Sequence, residues 1–267
     1  MPIMGLVTEL EAGFDYDRNG TCPSKIGNAT SCFECCQNRY FNGNGINYDC
    51  VQFRKAYIMR YLPVHIHENY LALCRIPHDV IDEIGQNETV NMLSLGGGPG
   101  TDIAAFKKYI QSGFFDDRTT RSFRIVRIER EDNWNGFARR VIHLFACENF
   151  EIDHRKRHQS VLEMIREEGV HVVTLSYILS EIELGNIPDL TRNIARTLAE
   201  TAVIIVNDRD EDEVREKAEL LLESLQVGNF DSRNDREWCG VYYPGDIRDR
   251  INPKLKTNSI RYTAVKR

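Results

Sequence analysis

Asn91-Met92-Leu93-Ser94-Leu95-Gly96-Gly97-Gly98-Pro99-Gly100-Thr101-Asp102-Ile103-Ala104-Ala105-Phe106 decides the fold. Apolar Val90 to Leu95 reads as a buried strand, the glycines as a tight turn, and Thr101 to about Gln111 as a helix. Glycine reaches backbone angles other residues avoid and holds no ligand away with a side chain. In an open α/β sheet this order, strand to glycine turn to helix, makes room for a nucleoside-bearing ligand.

Outward from this stretch, strand and helix patterns alternate. Strands are expected at 123–128, briefly at 150–152, at 170–175 and at 202–206. Helices are expected at 133–145, 161–168, 190–198 and 211–226. At the end, 237–243 and 260–265 read as two strands with no helix between them. Alternation argues for a parallel sheet with helices on both faces, and the final pair for an antiparallel edge. Before the sheet, residues 1 to about 50 are rich in Gly, Asn, Asp and Cys and read as an irregular cap, with a turn at Gly43-Asn44-Gly45. A helical pattern runs from about Asp49 to Leu73, where Pro63 should break or kink it. Pro77 opens a short helix ending near Gly85. The chain thus divides into an N-terminal cap over 1–88 and a ligand-binding domain over 89–267.

With 267 residues, 42% of them hydrophobic and 28% charged, the chain is long enough for one large α/β domain with an extension. No apolar run is long enough to span a bilayer, and the N-terminus lacks the basic and apolar regions of a secretory signal. An intracellular location, cytoplasmic or nuclear, is the expectation, with the cysteines reduced. A net charge of −6 disfavours a general nucleic-acid-coating role, though a local basic patch would suffice for RNA. Arg118, Arg121 and Arg124, and the run His154-Arg155-Lys156-Arg157-His158, read as solvated surface.

Gly96-Gly97-Gly98-Pro99-Gly100 resembles the G-x-G-x-G loop of class I S-adenosylmethionine-dependent methyltransferases. The resemblance covers roughly residues 90 to 267. It implies a Rossmann-like, seven-stranded, mostly parallel sheet with an antiparallel C-terminal strand pair, and a loop at Gly96, Gly97, Gly98 and Gly100 that wraps the methionine part of the cofactor. Pro99 suits this loop better than a dinucleotide loop, where backbone amides donate to pyrophosphate and proline has none to offer. An acid at the end of the second strand would take the ribose hydroxyls. Glu129 continues that strand directly and is the choice, with Glu131 second; Trp134 is a candidate for the adenine face, or core packing. The gap from loop to acid exceeds the usual ~20 residues, with an insertion near 112–117. Asp153 is a candidate for the adenine amino group.

The stretch ending in Ser176 and Tyr177 is similar to the family's fourth motif, beside the transferable methyl. Ser180 reads as a helix cap. Asn207 and Asp208, ending a buried strand, face the expected substrate side. Tyr177 and Asp208 are the candidate groups for removing a proton from the acceptor. On the preceding helix, Arg60 is a candidate partner for the methionine carboxylate, and Tyr61 for the sulfonium region. Position 94 is Ser where the family often has an acid.

The resemblance implies methyl transfer from S-adenosylmethionine, leaving S-adenosylhomocysteine. The acidic balance favours a small-molecule or protein acceptor, with structured RNA open. Two other classes stand beside this: a non-catalytic cofactor-binding partner subunit, and a nicotinamide-dependent oxidoreductase. Cys32-Phe33-Glu34-Cys35 has metal-ligand spacing that Cys22 and Cys50 would complete, so structural zinc is possible. Disulfides are a further alternative, free thiols are the favoured state, and the metal ligands are unassigned.

Overall fold

A computed structural model describes residues 2–14, 16, 29, 31–41, 48–115, 122–156, 168–227 and 230–267. The chain forms two compact units: Met1–His65 with Trp238–Lys256, and Ile66–Glu237 with Thr257–Arg267. By compactness, residues 66–88 group with the sheet, and a segment from near the C-terminus groups with the first unit.

The first unit is more regular than its composition suggests. Helix α1 (Pro2–Ala12) buries Ile3, Leu6, Val7 and Leu10, whose three- and four-residue spacing makes one apolar stripe. Helix α2 (Cys32–Phe41) is capped by Ser31, whose Oγ accepts the Glu34 amide at 3.1 Å. Both correct the expected irregular cap; the turn at 43–45 lies outside the described residues. Helix α3 (Val51–Leu73) runs through Pro63 without ending there. Proline removes the amide that would bond the Met59 carbonyl. The Tyr243 hydroxyl donates to that carbonyl at 2.7 Å, and the Lys254 amide donates to the next one, on Arg60, at 3.0 Å. The segment carrying these donors includes α9 (Gly245–Ile251).

The second unit holds α4 (His78–Ile84) and a seven-stranded sheet. Its strands are β1 (Thr89–Leu95), β2 (Ser122–Glu129), β3 (Phe150–Lys156), β4 (Val170–Ser176), β5 (Leu198–Arg209), β6 (Phe230–Arg233) and β7 (Ser259–Lys266). They lie in the order β3-β2-β1-β4-β5-β7-β6. The first five are mutually parallel, and β7 runs antiparallel to both β5 and β6. This is the expected Rossmann-like, mostly parallel seven-stranded sheet with an antiparallel C-terminal pair. Helices α5 (Thr101–Gln111), α6 (Asn135–Ile142), α7 (Ile187–Ala195) and α8 (Asp212–Ser224) connect the strands. Beneath the sheet a continuous core joins Leu93 and Leu95, Val173 and Leu175, and Ile204 and Val206 to Leu190, Ile194, Leu221 and Leu222 of the α7 and α8 layer.

Several boundaries moved. The penultimate strand is Phe230–Arg233, not 237–243, and α9 lies between 237–243 and β7. Cys239, Val241 and Tyr243 do alternate buried with exposed neighbours, but this stretch pairs only through one bridge, Trp238 to Lys256. Strand β3 extends to Lys156, and α7 starts three residues earlier than expected, with proline in its first turn. The helix expected at 161–168 falls on undescribed residues up to position 167, as do Asp116 and Asp117 at the end of the 112–117 insertion. Among the described residues no helix is long and apolar enough to cross a membrane.

Candidate active site

The chain passes from β1 to β2 on one side and reaches β4 on the other, so β1 and β4 flank the switch point of the sheet. Ligands of such sheets sit outside the carboxyl ends of the strands there. Gly96 to Gly100 leaves β1 at that point.

Each loop glycine has its own reason. Gly96 has φ +63°, and a Cβ there would lie 2.6 Å from Ile178 Cδ1. A Cβ on Gly97 would lie 2.7 Å from both Arg127 Cγ and Ser94 Oγ. Gly100 opens α5 with φ +81°, against Ile142. Gly98 has φ +42°, but its added Cβ would meet nothing nearer than the Gly96 carbonyl at 3.8 Å, so the loop is open on that side.

The loop amides are spent internally. Those of Gly96 and Gly97 donate to the Ile128 carbonyl at 3.0 and 3.3 Å, and that of Gly100 to Gly97 at 2.6 Å. The Gly98 amide donates to Glu129 Oε2 at 2.6 Å, and the Glu131 amide donates to Glu129 Oε1 at 2.9 Å. Glu129, the expected ribose acid, is therefore half-buried at the end of β2 and bonded to the loop itself. Each of its oxygens keeps further acceptor capacity.

Two residues missed in the sequence lie under the loop. Asp102, on the first turn of α5, is fully buried and accepts Ser94 Oγ at 2.6 Å, Thr174 Oγ1 at 2.5 Å and the Ile103 amide at 2.9 Å. It ties β1, β4 and α5 together. Burial pushes its carboxyl above the ordinary value, against the hydroxyl bonds that pull it down. Arg127, also fully buried, donates through Nη1 to Asn135 Oδ1 at 2.8 Å and through Nη2 to the Gly98 carbonyl. An acid following the glycines and an Arg inside an apolar strand were the available signals.

On the other side of the switch point, β4 ends at Ser176. Its hydroxyl accepts Asn69 Nδ2 at 3.0 Å and Asn207 Nδ2 at 3.4 Å. Tyr177 follows with φ +56°, a left-handed conformation that β-carbon-bearing residues hold only where surroundings enforce it. Its amide donates to the Asn207 carbonyl at 2.8 Å and its hydroxyl to buried Glu68 at 2.8 Å. Ser176, Asn207 and Arg261 are successive register partners across β4, β5 and β7, and so share one face. Asn207 Oδ1 and Arg261 Nε and Nη1 are buried without a hydrogen-bond partner among the described residues; so are both ring nitrogens of His67. Burial, then Lys108 and Arg261, pull His67 down to about 4, so it is neutral at physiological pH.

Asp208 is fully buried, with Oδ2 accepting the Ser180 amide at 3.2 Å and Oδ1 the Arg209 amide at 2.7 Å. It fixes the turn after β4. Burial raises its pKa. Ser180 is not a helix cap; it lies within a single 3₁₀ turn, Leu179–Glu181, and supplies the amide for Asp208. Trp134 is buried in edge-to-face contact with Phe137, and Asp153 on β3 pairs with Arg155 at 2.6 Å. Arg60 and Tyr61 belong to the first unit, where the Arg60 guanidinium lies 5.5 Å over the Tyr61 ring. Among the described residues no group of three His, Cys, Asp or Glu side chains is placed to hold a metal ion; Cys22 lies outside them.

No family model and no curated protein matches the chain. Solved structures similar to it include the precorrin-6y C5,15-methyltransferase of Geobacter metallireducens, at 14% identity and a TM-score of 0.44 over 71% of this chain and 86% of that one. A SAM-dependent methyltransferase of Aquifex aeolicus matches at 15% and 0.42, over 71% and 89%. One of Archaeoglobus fulgidus matches at 11% and 0.42, over 71% and 95%.

Proposed function

We propose that the chain binds S-adenosylmethionine on the glycine loop and transfers its methyl group to an acceptor held beyond the ends of β4 and β5. The observation that carries this reading is the 2.6 Å bond from the Gly98 amide to Glu129, which sets a ribose-competent carboxylate against the open side of the loop. The same bonding speaks against a pyrophosphate. Gly96, Gly97, Gly98 and Gly100 have committed their amides, and Pro99 has none. The residues fit the nucleoside: two ribose hydroxyls find lone pairs on Glu129, and Gly98 leaves room beside it.

When bound, the cofactor supplies a methyl made electrophilic by its sulfonium. The chain supplies alignment and exclusion of water. Tyr177, pinned in its left-handed turn, is the proton-handling group of this proposal, with Glu68 behind its hydroxyl. Asp208 acts at one remove, through the turn it holds. A small-molecule or protein acceptor remains the favoured class, with structured RNA the alternative; zinc plays no part in the proposal.

Glu129→Ala should weaken binding of S-adenosylhomocysteine by about 100-fold in calorimetry, because two charge-assisted bonds are lost. Unchanged affinity would remove the ribose assignment. Release of S-adenosylhomocysteine with an acceptor panel separates an enzyme from a binding subunit: tight cofactor binding without turnover on any member favours the subunit.

A further inference from the structure

Glu129 and Arg127 sit two residues apart on β2, so their side chains leave the same face of the strand. Both reach one residue of the loop, at the peptide before it and the peptide after it. Glu129 accepts the Gly98 amide at 2.6 Å, and Arg127 Nη2 donates to the Gly98 carbonyl. The Gly98 residue is thus held at its nitrogen by an anion and at its oxygen by a cation. The rest of the Arg127 side chain is constrained as well, save Nε, which is buried without a partner among the described residues. Its stem fills the space a Gly97 side chain would need, and its second terminal nitrogen is anchored on Asn135 at the start of α6.

An arginine buried to this degree is costly unless its donors are used. Burial lowers its pKa, while Glu129, Asp102 and Asp132 act to keep it charged. An apolar residue of similar volume would fill the same space without that cost, so packing alone does not account for an arginine here. The use that does account for it is setting the orientation of the Gly98–Pro99 peptide.

We propose that Arg127 and Glu129 clamp Gly98 through the peptides on either side of it, Glu129 serving the cofactor's ribose and Arg127 setting the loop conformation that receives its amino-acid tail. Glu129 reads the ribose and anchors the loop with one carboxylate. Arg127 is a positioning residue: it touches no ligand and fixes the loop conformation that receives the tail. The inference rests on the cofactor assignment made above.

Two probes separate its parts. S-adenosylhomocysteine carries the tail; 5′-methylthioadenosine has the same adenine, ribose and sulfur without it. Arg127→Met keeps the stem and removes the fork. The expected result is at least about tenfold weaker binding of S-adenosylhomocysteine, with 5′-methylthioadenosine held within about twofold of wild type. Asn135→Ala frees only the far side of the guanidinium on a half-buried helix start, and should give the same selective loss at smaller size. It keeps the test decisive if Arg127→Met fails to fold. Equal losses for both probes, or no loss for S-adenosylhomocysteine, in the folded variant overturn the clamp. If wild type binds neither probe, the cofactor assignment itself fails, and the clamp with it.

Discussion

The two sides of the switch point handle buried polarity in opposite ways. Under the glycine loop the buried carboxylate finds three donors and the loop amides of Gly96, Gly97, Gly98 and Gly100 are all committed, while Arg127 Nε is buried without a partner among the described residues. Beyond β4 and β5, Asn207 Oδ1, two nitrogens of Arg261 and both of His67 are buried with no partner among the described residues. A satisfied network rigidifies, whereas an unsatisfied one is a standing penalty. The loop side is accordingly built for stability and preorganisation. The side beyond β4 and β5, where the proposal puts the acceptor, carries polar groups that folding alone does not reward.

The largest effect should come from Gly96→Ala. It combines a left-handed backbone with a Cβ 2.6 Å from Ile178, and should cost roughly 2–5 kcal/mol of stability while abolishing S-adenosylhomocysteine binding. Normal binding would show that the loop is not preorganised. Next comes a matched pair. Thr174→Val removes one of three donors to Asp102 and should lose about 1–3 kcal/mol in urea unfolding. Asn207→Leu removes an acceptor that bonds nothing and a weak 3.4 Å donor, and should be close to neutral or gain up to about 1 kcal/mol. Equal losses would erase the contrast between the two sides.

Acidity offers a subtler probe, with opposite signs. Asp102 is raised by burial, so folded protein holds its proton more tightly than unfolded chain. Its contribution is greatest at low pH and is lost as pH climbs from the ordinary carboxylate value toward the raised one. His67 is lowered to about 4 from 6.5, so unfolded chain takes the proton first, and stability is lost as pH falls through that window. Unfolding free energies at pH 4 to 7 should show His67→Leu flattening the acid limb, while Asp102→Asn gains relative to wild type as pH rises. A His67→Leu curve parallel to wild type would contradict the buried, unpartnered placement of the ring.

What the sequence revealed follows the same physics. Strands β1, β4 and β5 were legible because their continuous apolar runs are buried on both faces. Strand β3 was read short because Glu151, Asp153, His154, Arg155 and Lys156 lie on an edge strand, where charge is tolerated. Strand β6, Phe-Asp-Ser-Arg, carries almost no apolar signal, while 237–243 alternates convincingly without a ladder to join. Pro63 was read as a break because its rescue comes from Tyr243 and Lys254, some 180 to 190 residues away along the chain. At the site, the glycines and Glu129 were visible in local order. Arg127 and Asp102 were not, since their partners Gly98 and Thr174 meet them only through tertiary structure.

The central claim is that the loop holds the nucleoside of a methyl donor and not a dinucleotide. Separate calorimetric titrations of the purified chain with S-adenosylhomocysteine and with NAD test it most directly. The expected result is saturable binding of S-adenosylhomocysteine, lost in Glu129→Ala, with no heat from NAD. Binding of NAD without S-adenosylhomocysteine would contradict the account.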